Sequence, residues 1–447
     1  MLTDYTHSEI ITINHFYARK LDNYRSIQIY LPPSYKVQSE RRFPVLYTHD
    51  GQNMFNGQFS YSGASWEIQK VADNLIYRRM IEEIIIVAVD NMHTERLSEY
   101  AHESGSFNGQ QLQGNGKLYE DFLIHDVKPF IDANFRTLTD ASNTALMGSS
   151  MGGLVTFNIG IKNPNIFGKL GIISPSFWWG DGVTLKKLKR KKLKVLNEKV
   201  WIDMGDSEGH FMKDCRDLVH ELLNKGYSIP DNLVYYSVPG ANHSESAWSK
   251  RVHCPLLYFF GQIGYPQELH LFGRDIVGLK GPKTHLNPIM HYSSGFRMTV
   301  LDADFISTNS NLIDIDQKGY IVPNNIGTTE VEVHKMGIKA SKKYVVIDEL
   351  KEDVTITIHV TVPDNTSDDD IYLGILAPKD YKFIKKNTQA YMAQITLPRD
   401  ESISFKFTRG SWATVEKDLY GGEIDSRLLK AENDLSIHYE VENWADL

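Results

Sequence analysis

Up to about residue 262, short apolar runs alternate with stretches whose apolar positions recur at helical spacing. The runs are nearly continuous, as in strands buried on both faces of a parallel sheet. They lie at Ser26–Leu31, Pro44–Thr48, Ile84–Val89, Thr144–Met147, Leu170–Ile173, Val200–Met204 and Leu233–Val238. The helical stretches lie at Trp66–Arg79, Leu118–Asn134, from Met151 onward, His210–Asn224 and Ser246–Phe260. This alternation predicts an α/β fold with a doubly wound, mostly parallel sheet covered by helices.

After about residue 265 the helical spacing ends, and apolar and polar residues alternate with the period of strands. The strand-like segments are Phe296–Leu301, Glu330–His334, Lys343–Ile347, Thr355–Val362, Tyr391–Leu397 and Ser402–Thr408. Turn-forming residues separate them, as expected of antiparallel sandwiches. We therefore predict an α/β domain over residues 1–265, followed by two small all-β sandwich domains over 270–348 and 349–447. The C-terminal β domains are also the candidate surface for a homo-oligomer.

Composition narrows the classes of function. The chain has 447 residues and a net charge of −8, which argues against nucleic acid as a partner because phosphate binding needs a basic surface. The N-terminus lacks the pattern of a signal peptide, and the apolar runs are too short to span a membrane, so we expect a cytoplasmic protein. No His, Cys, Asp or Glu cluster has ligand spacing, so neither a metal site nor a cofactor is predicted.

The motif Gly148-Ser149-Ser150-Met151-Gly152 has the form G-x-S-x-G. The motif alone is weak evidence, but a short apolar strand precedes it and a helix is predicted directly after it. A strand, a sharp turn and a helix expose a serine hydroxyl above the sheet, where it can act as a nucleophile. We therefore predict Ser150 as the catalytic nucleophile.

A serine hydroxyl needs a base to take its proton, and that base needs an acid to orient it. His243 follows the last predicted strand of the α/β domain, which is the place of the base in this chain order. The acid is expected after the preceding strand, where Asp206 and Glu208 compete. We favour Glu208, whose longer side chain stands further into the loop, and keep Asp206 as the alternative.

The negatively charged oxygen of the tetrahedral intermediate needs N–H donors that are already in place. One donor is expected to be the amide of Met151, directly after the nucleophile. The other is expected in the loop His49-Asp50-Gly51-Gln52-Asn53 after an early strand, and we assign it to the amide of Gln52. For substrate binding we select Trp66, Trp178 and Trp179, because aryl groups and sugar rings pack on such faces.

The first half of the chain resembles the putative esterase family of α/β-hydrolases, which includes esterase D, enterochelin-esterase-like enzymes, feruloyl esterases and mycolyltransferases. The similar segments are Tyr30-Leu31-Pro32-Pro33-Ser34-Tyr35, Asp50-Gly51-Gln52-Asn53-Met54-Phe55, Gly148–Gly153, Ile173-Ser174-Pro175-Ser176-Phe177-Trp178-Trp179 and His243-Ser244-Glu245-Ser246-Ala247-Trp248. The resemblance implies an α/β-hydrolase fold, a triad of Ser150, Glu208 and His243, and an oxyanion hole at Gln52 and Met151.

Two resemblances concern the C-terminal half. The region from Ser307 to Val333 is similar to bacterial Ig-like group 2 domains, and the segment Phe405–Trp412 is similar to starch-binding-type carbohydrate modules. Those modules often carry a tryptophan motif after an early strand, where this chain reads Leu373-Gly374-Ile375-Leu376-Ala377-Pro378-Lys379. The departure weakens the expectation that the module binds sugar.

These observations favour a serine carboxylic-ester hydrolase that works through an acyl-enzyme. The substrate is expected to be a small-molecule or carbohydrate-linked ester, with siderophore-like and aryl esters as further options. An acyltransferase on the same scaffold is an alternative, because it would form the same acyl-serine. A non-catalytic carbohydrate-binding or interaction protein is the other alternative, and the complete set of Ser150, Glu208 and His243 argues against it.

Overall fold

The structure is a computed structural model. It describes residues 7–57, 64–107, 109–193, 196–208, 211–316, 319–366, 369–375 and 378–447, with the side chains of 211–214 left aside. His210, the first residue of a predicted helix, and Gly209 of the predicted acid loop lie outside the described residues.

The described residues of the first half form one sheet of eight strands. In chain order the strands of this half are β1 (Glu9–Ala18), β2 (Asn23–Leu31), β3 (Val45–Thr48), β4 (Ile85–Val89), the hairpin strands β5 (Gly105–Phe107) and β6 (Gln110–Leu112), β7 (Thr144–Ser149), β8 (Lys169–Ile173), β9 (Lys199–Gly205) and β10 (Leu233–Val238). The sheet order is β1-β2-β4-β3-β7-β8-β9-β10. The pairings from β4 to β10 are parallel, whereas β1 and β2 are antiparallel to their neighbours.

Helices connect these strands and cover both faces of the sheet. They are α1 (Ile68–Tyr77), α2 (Arg96–Glu99), α3 (Gly116–Phe122), α4 (Lys128–Asn134), α5 (Met151–Gly160), α6 (Trp179–Arg190), α7 (Phe211–Asn224), α8 (Glu245–Ser249) and α9 (His253–Phe260). The α/β prediction is confirmed. The sequence pattern missed α6, whose first turn is interrupted by left-handed backbone at residues 180–182. Among the described residues, no helix is both long and apolar enough to cross a membrane.

The central strands are apolar at every position because both faces of the sheet are buried. In β4, Ile85, Val87 and Val89 point into one hydrophobic cluster, while Ile86 and Ala88 point into the cluster on the opposite face. Since successive strand residues face opposite sides, a continuous apolar run is what two buried faces require. The carboxyl ends of these parallel strands therefore meet at one rigid edge of the sheet.

The second half is built from strands in several smaller sheets. The strands are β11 (Pro266–Phe272), β12 (Ile276–Lys280), β13 (Asn287–Tyr292), β14 (Arg297–Thr299), β15 (Asp304–Ser307), β16 (Ile313–Ile315), β17 (Ile321–Pro323), β18 (Gly327–Lys335), β19 (Ile338–Glu349), β20 (Asp353–Thr361), β21 (Tyr372–Gly374), β22 (Tyr381–Lys382), β23 (Ile384–Lys385), β24 (Ala390–Pro398), β25 (Ser402–Thr408), β26 (Glu416–Lys417), β27 (Arg427–Lys430), β28 (Leu435–Glu440) and β29 (Asn443–Trp444). The all-β character expected of this half is confirmed, and its assignment to particular module families stays a prediction.

These strands fall into two groups. Before residue 350 the sheets are β11-β13-β14, β12-β19-β18-β15 and β16-β17. After it they are β23-β24-β20-β28, β22-β21-β25-β27 and β26-β29. The strands from β20 onward enclose a hydrophobic cluster of their own, centred on residues such as Ile356, Phe405 and Trp444. The division near residue 349 therefore separates two cores.

The hydrophobic core of the α/β half extends past the predicted boundary at residue 265, although residues 277–346 also form a smaller cluster of their own. Phe296, between β13 and β14, lies in the same hydrophobic cluster as Trp201 and Tyr258 of the α/β half, with 5.6 Å between the ring centroids of Trp201 and Phe296. Side chains of this region also form hydrogen bonds to the backbone at the outer edge of β10. The Ser237 amide donates to Thr299 Oγ1 at 2.8 Å, and the Asn287 side-chain amide donates to the Ser237 carbonyl at 3.0 Å.

We expect a chain that ends at residue 265 to lose cooperative folding, whereas a chain that ends at residue 350 folds. The shorter chain lacks eight buried apolar side chains of the shared cluster, namely Leu269, Ile289, Met290, Tyr292, Phe296, Met298, Val300 and Val333. Burial of each contributes roughly 1.5–3 kcal/mol. Their sum is comparable to the whole stability of a domain, about 5–15 kcal/mol. Calorimetry and size-exclusion chromatography of both chains test this, and cooperative unfolding of the shorter, monodisperse chain would contradict it.

Candidate active site

Ser150 lies at the sharp turn between β7 and α5, as the motif predicts. Its backbone has φ 59° and ψ −124°, a conformation that non-glycine residues rarely adopt. The Ser150 amide donates to the carbonyl of Ile173 at the end of β8, at 3.0 Å. The turn therefore holds the serine in a strained conformation at the carboxyl edge of the sheet, as in a nucleophile elbow.

Gly148 and Gly152, on either side of Ser150, allow the loop after β3 to approach the Ser150 turn closely. A Cβ added at Gly148 would lie 2.7 Å from His49 Cδ2 and 2.8 Å from the backbone of Gly152. A Cβ at Gly152 would lie 3.3 Å from the Asp50 carboxylate. The motif thus packs the loop after β3 directly against the nucleophile turn.

Glu208 and His243 lie side by side on the loops after β9 and β10. His243 Nδ1 is 2.7 Å from Glu208 Oε2, a hydrogen-bond distance. The Glu208 side chain is 1% exposed and the His243 side chain is 41% exposed. The buried carboxylate orients an imidazole that remains open to solvent, which is the arrangement a base and its orienting acid require.

Three groups besides His243 stabilise the charge of Glu208. Glu208 Oε1 accepts hydrogen bonds from Ser174 Oγ and from the Gly205 amide, each at 2.7 Å. The Arg251 guanidinium lies 3.8 Å from the same oxygen. Burial alone would raise the pKa of Glu208, but His243, Arg251 and Ser174 outweigh it and hold the pKa below its usual value. The carboxylate is therefore ionised at neutral pH despite its burial.

Asp206, the alternative acid, has a different partner. Its Oδ1 accepts a hydrogen bond from the Gly240 amide at 2.6 Å, so it joins the loops after β9 and β10. Burial raises the pKa of Asp206, and Lys430 and Asp400 of the C-terminal strands also act on it. The geometry thus favours Glu208 as the partner of His243.

The Ser150 hydroxyl is not hydrogen-bonded to His243 in this structure. Among the described residues its partner is Ser176 Oγ, at 3.3 Å. Catalytic hydrogen bonds are often long or poorly aligned before substrate binds and shorten in the complex with substrate. The end of β8 links the two, since Ile173 accepts from the Ser150 amide and Ser174 donates to Glu208, the partner of His243.

The loop assigned to the second oxyanion donor forms a single 3-10 turn, Gly51–Asn53. Gln52 and Met151 each stand near the start of a helical segment, where N–H groups lack a partner within the helix. The Gln52 side chain accepts from the Asn91 amide at 3.1 Å, which fixes its position in the turn. The oxyanion role of these two amides stays a prediction.

An ion pair holds the Gly51–Asn53 turn in place. Asp50 has a left-handed backbone, and its carboxylate accepts from Arg96 at 2.7 and 2.8 Å and from the Asn91 side chain at 2.6 Å. Although burial would raise the pKa of Asp50, Arg96 and Asn91 lower it below its usual range. A paired charge therefore fixes the loop from which the Gln52 amide projects.

Of the three tryptophans selected for substrate binding, the structure leaves one partly exposed. Trp178 lies beside Phe107 of the β5–β6 hairpin, with ring centroids 6.3 Å apart. Trp66 and Trp179 are each 1% exposed, so the expectation that they contact substrate is corrected to a packing role. The Trp66 ring packs on Trp248 at 5.8 Å, and Trp248 meets the His243 ring edge-on at 5.0 Å. Trp66 thus supports His243 through Trp248.

Three residues that position the site were not predicted from the sequence: Arg96, Ser174 and Arg251. Ser174 Oγ donates to Glu208 and accepts from Trp248 Nε1 at 2.9 Å and from the Arg251 guanidinium at 2.7 Å. Arg251 also pairs with the buried Asp203 at 2.9 Å. Asp203 could have indicated this pair from the sequence. It is a charged residue in the otherwise apolar run Val200–Met204 of β9, and a buried Asp needs a buried cation as its partner.

Comparison with known proteins places this chain in a family. The model of the putative esterase family matches residues 18–253, which is more than half of the chain. The chain therefore belongs to the putative esterase family.

Relatives of known sequence match parts of the chain. The uncharacterized protein YbbA of Bacillus subtilis is 25% identical over 249 residues, covering 53% of this chain and 93% of that protein. An endo-1,4-beta-xylanase/feruloyl esterase of Xylanibacter ruminicola is 30% identical over 179 residues, covering 38% of this chain but 22% of that enzyme. Among solved structures, an IroE-like serine hydrolase from Shewanella oneidensis is 18% identical, with a TM-score of 0.46 over 56% of this chain and 78% of that one.

We expect Glu208→Gln to lower kcat far more than Asp206→Asn. Glutamine keeps the shape but lacks the charge that orients and stabilises the imidazolium, so kcat should fall by roughly 10³- to 10⁴-fold. In Asp206→Asn the new side-chain carbonyl can still accept from the Gly240 amide, so that variant should retain kcat within about threefold. Steady-state kinetics on p-nitrophenyl acetate measure both, and the reverse ranking would transfer the role to Asp206.

Proposed function

We propose that this protein is a serine carboxylic-ester hydrolase that acts through an acyl-enzyme. The observation that carries the proposal is the 2.7 Å contact between the buried Glu208 and the exposed His243, next to the strained Ser150 turn. A buried carboxylate paired with an open imidazole is costly to maintain and has a direct use in general-base catalysis. Family membership supports the same class of reaction.

In the first half of the reaction His243 removes the proton from Ser150 Oγ while the oxygen attacks the ester carbonyl. The resulting oxyanion accepts hydrogen bonds from the amides of Gln52 and Met151. The tetrahedral intermediate collapses, the carbon–oxygen bond to the alcohol breaks, and His243 returns its proton to the leaving alcohol. Glu208 stays ionised and stabilises the imidazolium throughout.

In the second half a water molecule replaces the alcohol. His243 takes a proton from this water while its oxygen attacks the acyl carbonyl. The bond between the acyl carbon and Ser150 Oγ then breaks, His243 returns its proton to Ser150 Oγ, and the acid leaves. The exposure of the His243 side chain, 41%, gives water direct access to the base. This access favours hydrolysis over transfer to a second alcohol, because transfer requires that water be kept out.

For the substrate we propose an aryl or acyl ester linked to a carbohydrate. The support is the similarity to an endo-1,4-beta-xylanase/feruloyl esterase, together with the partly exposed Trp178 beside Phe107, which offers an aromatic face near the Ser150 loops. A panel of feruloylated sugars, acetylated sugars and simple aryl esters tests this class. The proposal requires that Trp178→Ala raise KM for feruloylated sugars more than for p-nitrophenyl acetate.

Ser150→Ala should abolish turnover without unfolding the protein. Alanine removes the nucleophile, and loss of the nucleophile typically lowers kcat by roughly 10⁴- to 10⁶-fold. A fluorophosphonate probe should label the wild type and leave the variant unlabelled. The matched control is Ser176→Ala, which removes the hydrogen-bond partner of Ser150 and should still be labelled. Labelling of Ser150→Ala at the wild-type rate would place the nucleophile elsewhere.

A further inference from the structure

A group of metal-ligating side chains lies outside the active site, on the first β-sheet of the second half. Glu268 and His270 are two positions apart on β11 and therefore face the same side of that strand. His291 on the neighbouring β13 is the register partner of Glu268. Antiparallel pairing thus brings the three side chains together on one face, although His291 is distant from the other two in sequence.

The opposite face of the same two strands fixes this arrangement. Leu269 and Met290, which alternate with the three polar residues, are 5% and 1% exposed and pack into the core shared with the α/β half. A one-residue slip of β11 would turn Leu269 away from this core. The register is therefore set by the core, and the polar trio keeps its place without relying on its own contacts.

The donor atoms of Glu268, His270 and His291 all lie within 4.8 Å of one another. His270 Nε2 is 3.0 Å from Glu268 Oε2, and the centroids of the two imidazole rings are 4.6 Å apart. In a tetrahedral zinc site, ligand atoms about 2.0–2.1 Å from the metal stand roughly 3.3 Å from each other. Rotation of side chains that are half-exposed, such as His270 at 45%, closes the remaining gap.

We propose that Glu268, His270 and His291 form a binding site for Zn²⁺. Two imidazole nitrogens and one carboxylate oxygen are a ligand set that zinc accepts, with a fourth position for water. His291 also lines a cleft of about 510 Å³ between the α/β half and the C-terminal strands, which gives the fourth ligand room. The site does not depend on the proposed esterase chemistry, and none of the predicted catalytic residues belongs to it.

Of the charged residues around Glu268, His270 and His291, some repel a cation and others attract it. Arg297, the register partner of His291 on β14, repels a cation, whereas the Glu268 carboxylate attracts it. Arg297 would in turn favour an anionic fourth ligand on the bound metal.

A second His–Glu pair provides a matched control. On β18, His334 Nε2 lies 2.9 Å from Glu332 Oε2, and the two residues are again two positions apart. The described residues place no third ligating side chain beside them. Both places thus have an imidazole beside a carboxylate. The proposed site differs in having a third ligating side chain, His291.

The test is isothermal titration of the tag-free full-length protein with ZnCl2 after removal of metals by a chelator. We expect one equivalent to bind with a Kd below about 10 μM. The variants His270→Ala and His291→Ala should each weaken binding at least about tenfold. Glu268→Gln should weaken it in the same direction, while His334→Ala should leave the Kd unchanged. A rise in the unfolding temperature with ZnCl2, lost in the same variants, is the second readout.

The proposal is overturned if the wild type binds more weakly than this limit, or if His334→Ala and His270→Ala change the Kd equally. It is also overturned if His291→Ala folds and binds as the wild type does. Should His291→Ala fail to fold, the half-exposed His270 and the exposed Glu268 decide the question, because their replacement leaves the core intact. Ser150→Ala should bind zinc as the wild type does, so failure of the proposed function and failure of the metal site are distinguishable.

Discussion

The buried carboxylate of Glu208 is the charge on which the candidate active site depends. An ionised group at this depth is unfavourable unless nearby groups replace its hydration. Ser174 at the end of β8, Gly205 at the end of β9 and His243 after β10 supply those partners. Three loops are thereby joined at one point, and the parallel sheet beneath them sets the distances. The site therefore depends on the ends of several strands and not on a single sequence motif.

Much of this arrangement was accessible from the sequence, because fully buried strands leave continuous apolar runs and the serine motif stands between a strand and a helix. The parts that were missed depend on contacts between distant segments. Helix α6 begins with left-handed residues around Gly180 that break its periodicity. Trp66 and Trp179 looked like binding residues because an isolated sequence does not state which aromatic ring is buried.

The same reason explains the boundary that the sequence pattern placed at residue 265. Alternation in the segment Phe296–Leu301 indicated one apolar face but could not show which surface that face would cover. The structure uses that face to extend the α/β core, and polar side chains of Asn287 and Thr299 satisfy the backbone of the last strand, β10. The Glu268, His270 and His291 trio was invisible for a related reason, since strand pairing alone brings it together.

The edge of β10 is covered by residues that come much later in the chain, and this order affects folding during synthesis. Synthesis runs from the N-terminus, so α9 emerges from the ribosome before β13 and β14 emerge. During the addition of about 40 residues, roughly 2–8 s at ordinary rates of translation, the edge of β10 and the apolar surface around Trp201 stay uncovered. A nascent chain in that interval exposes an unpaired strand, which is the feature that chaperones bind and that neighbouring chains pair with. Completion of the esterase half is therefore a late event in its own synthesis.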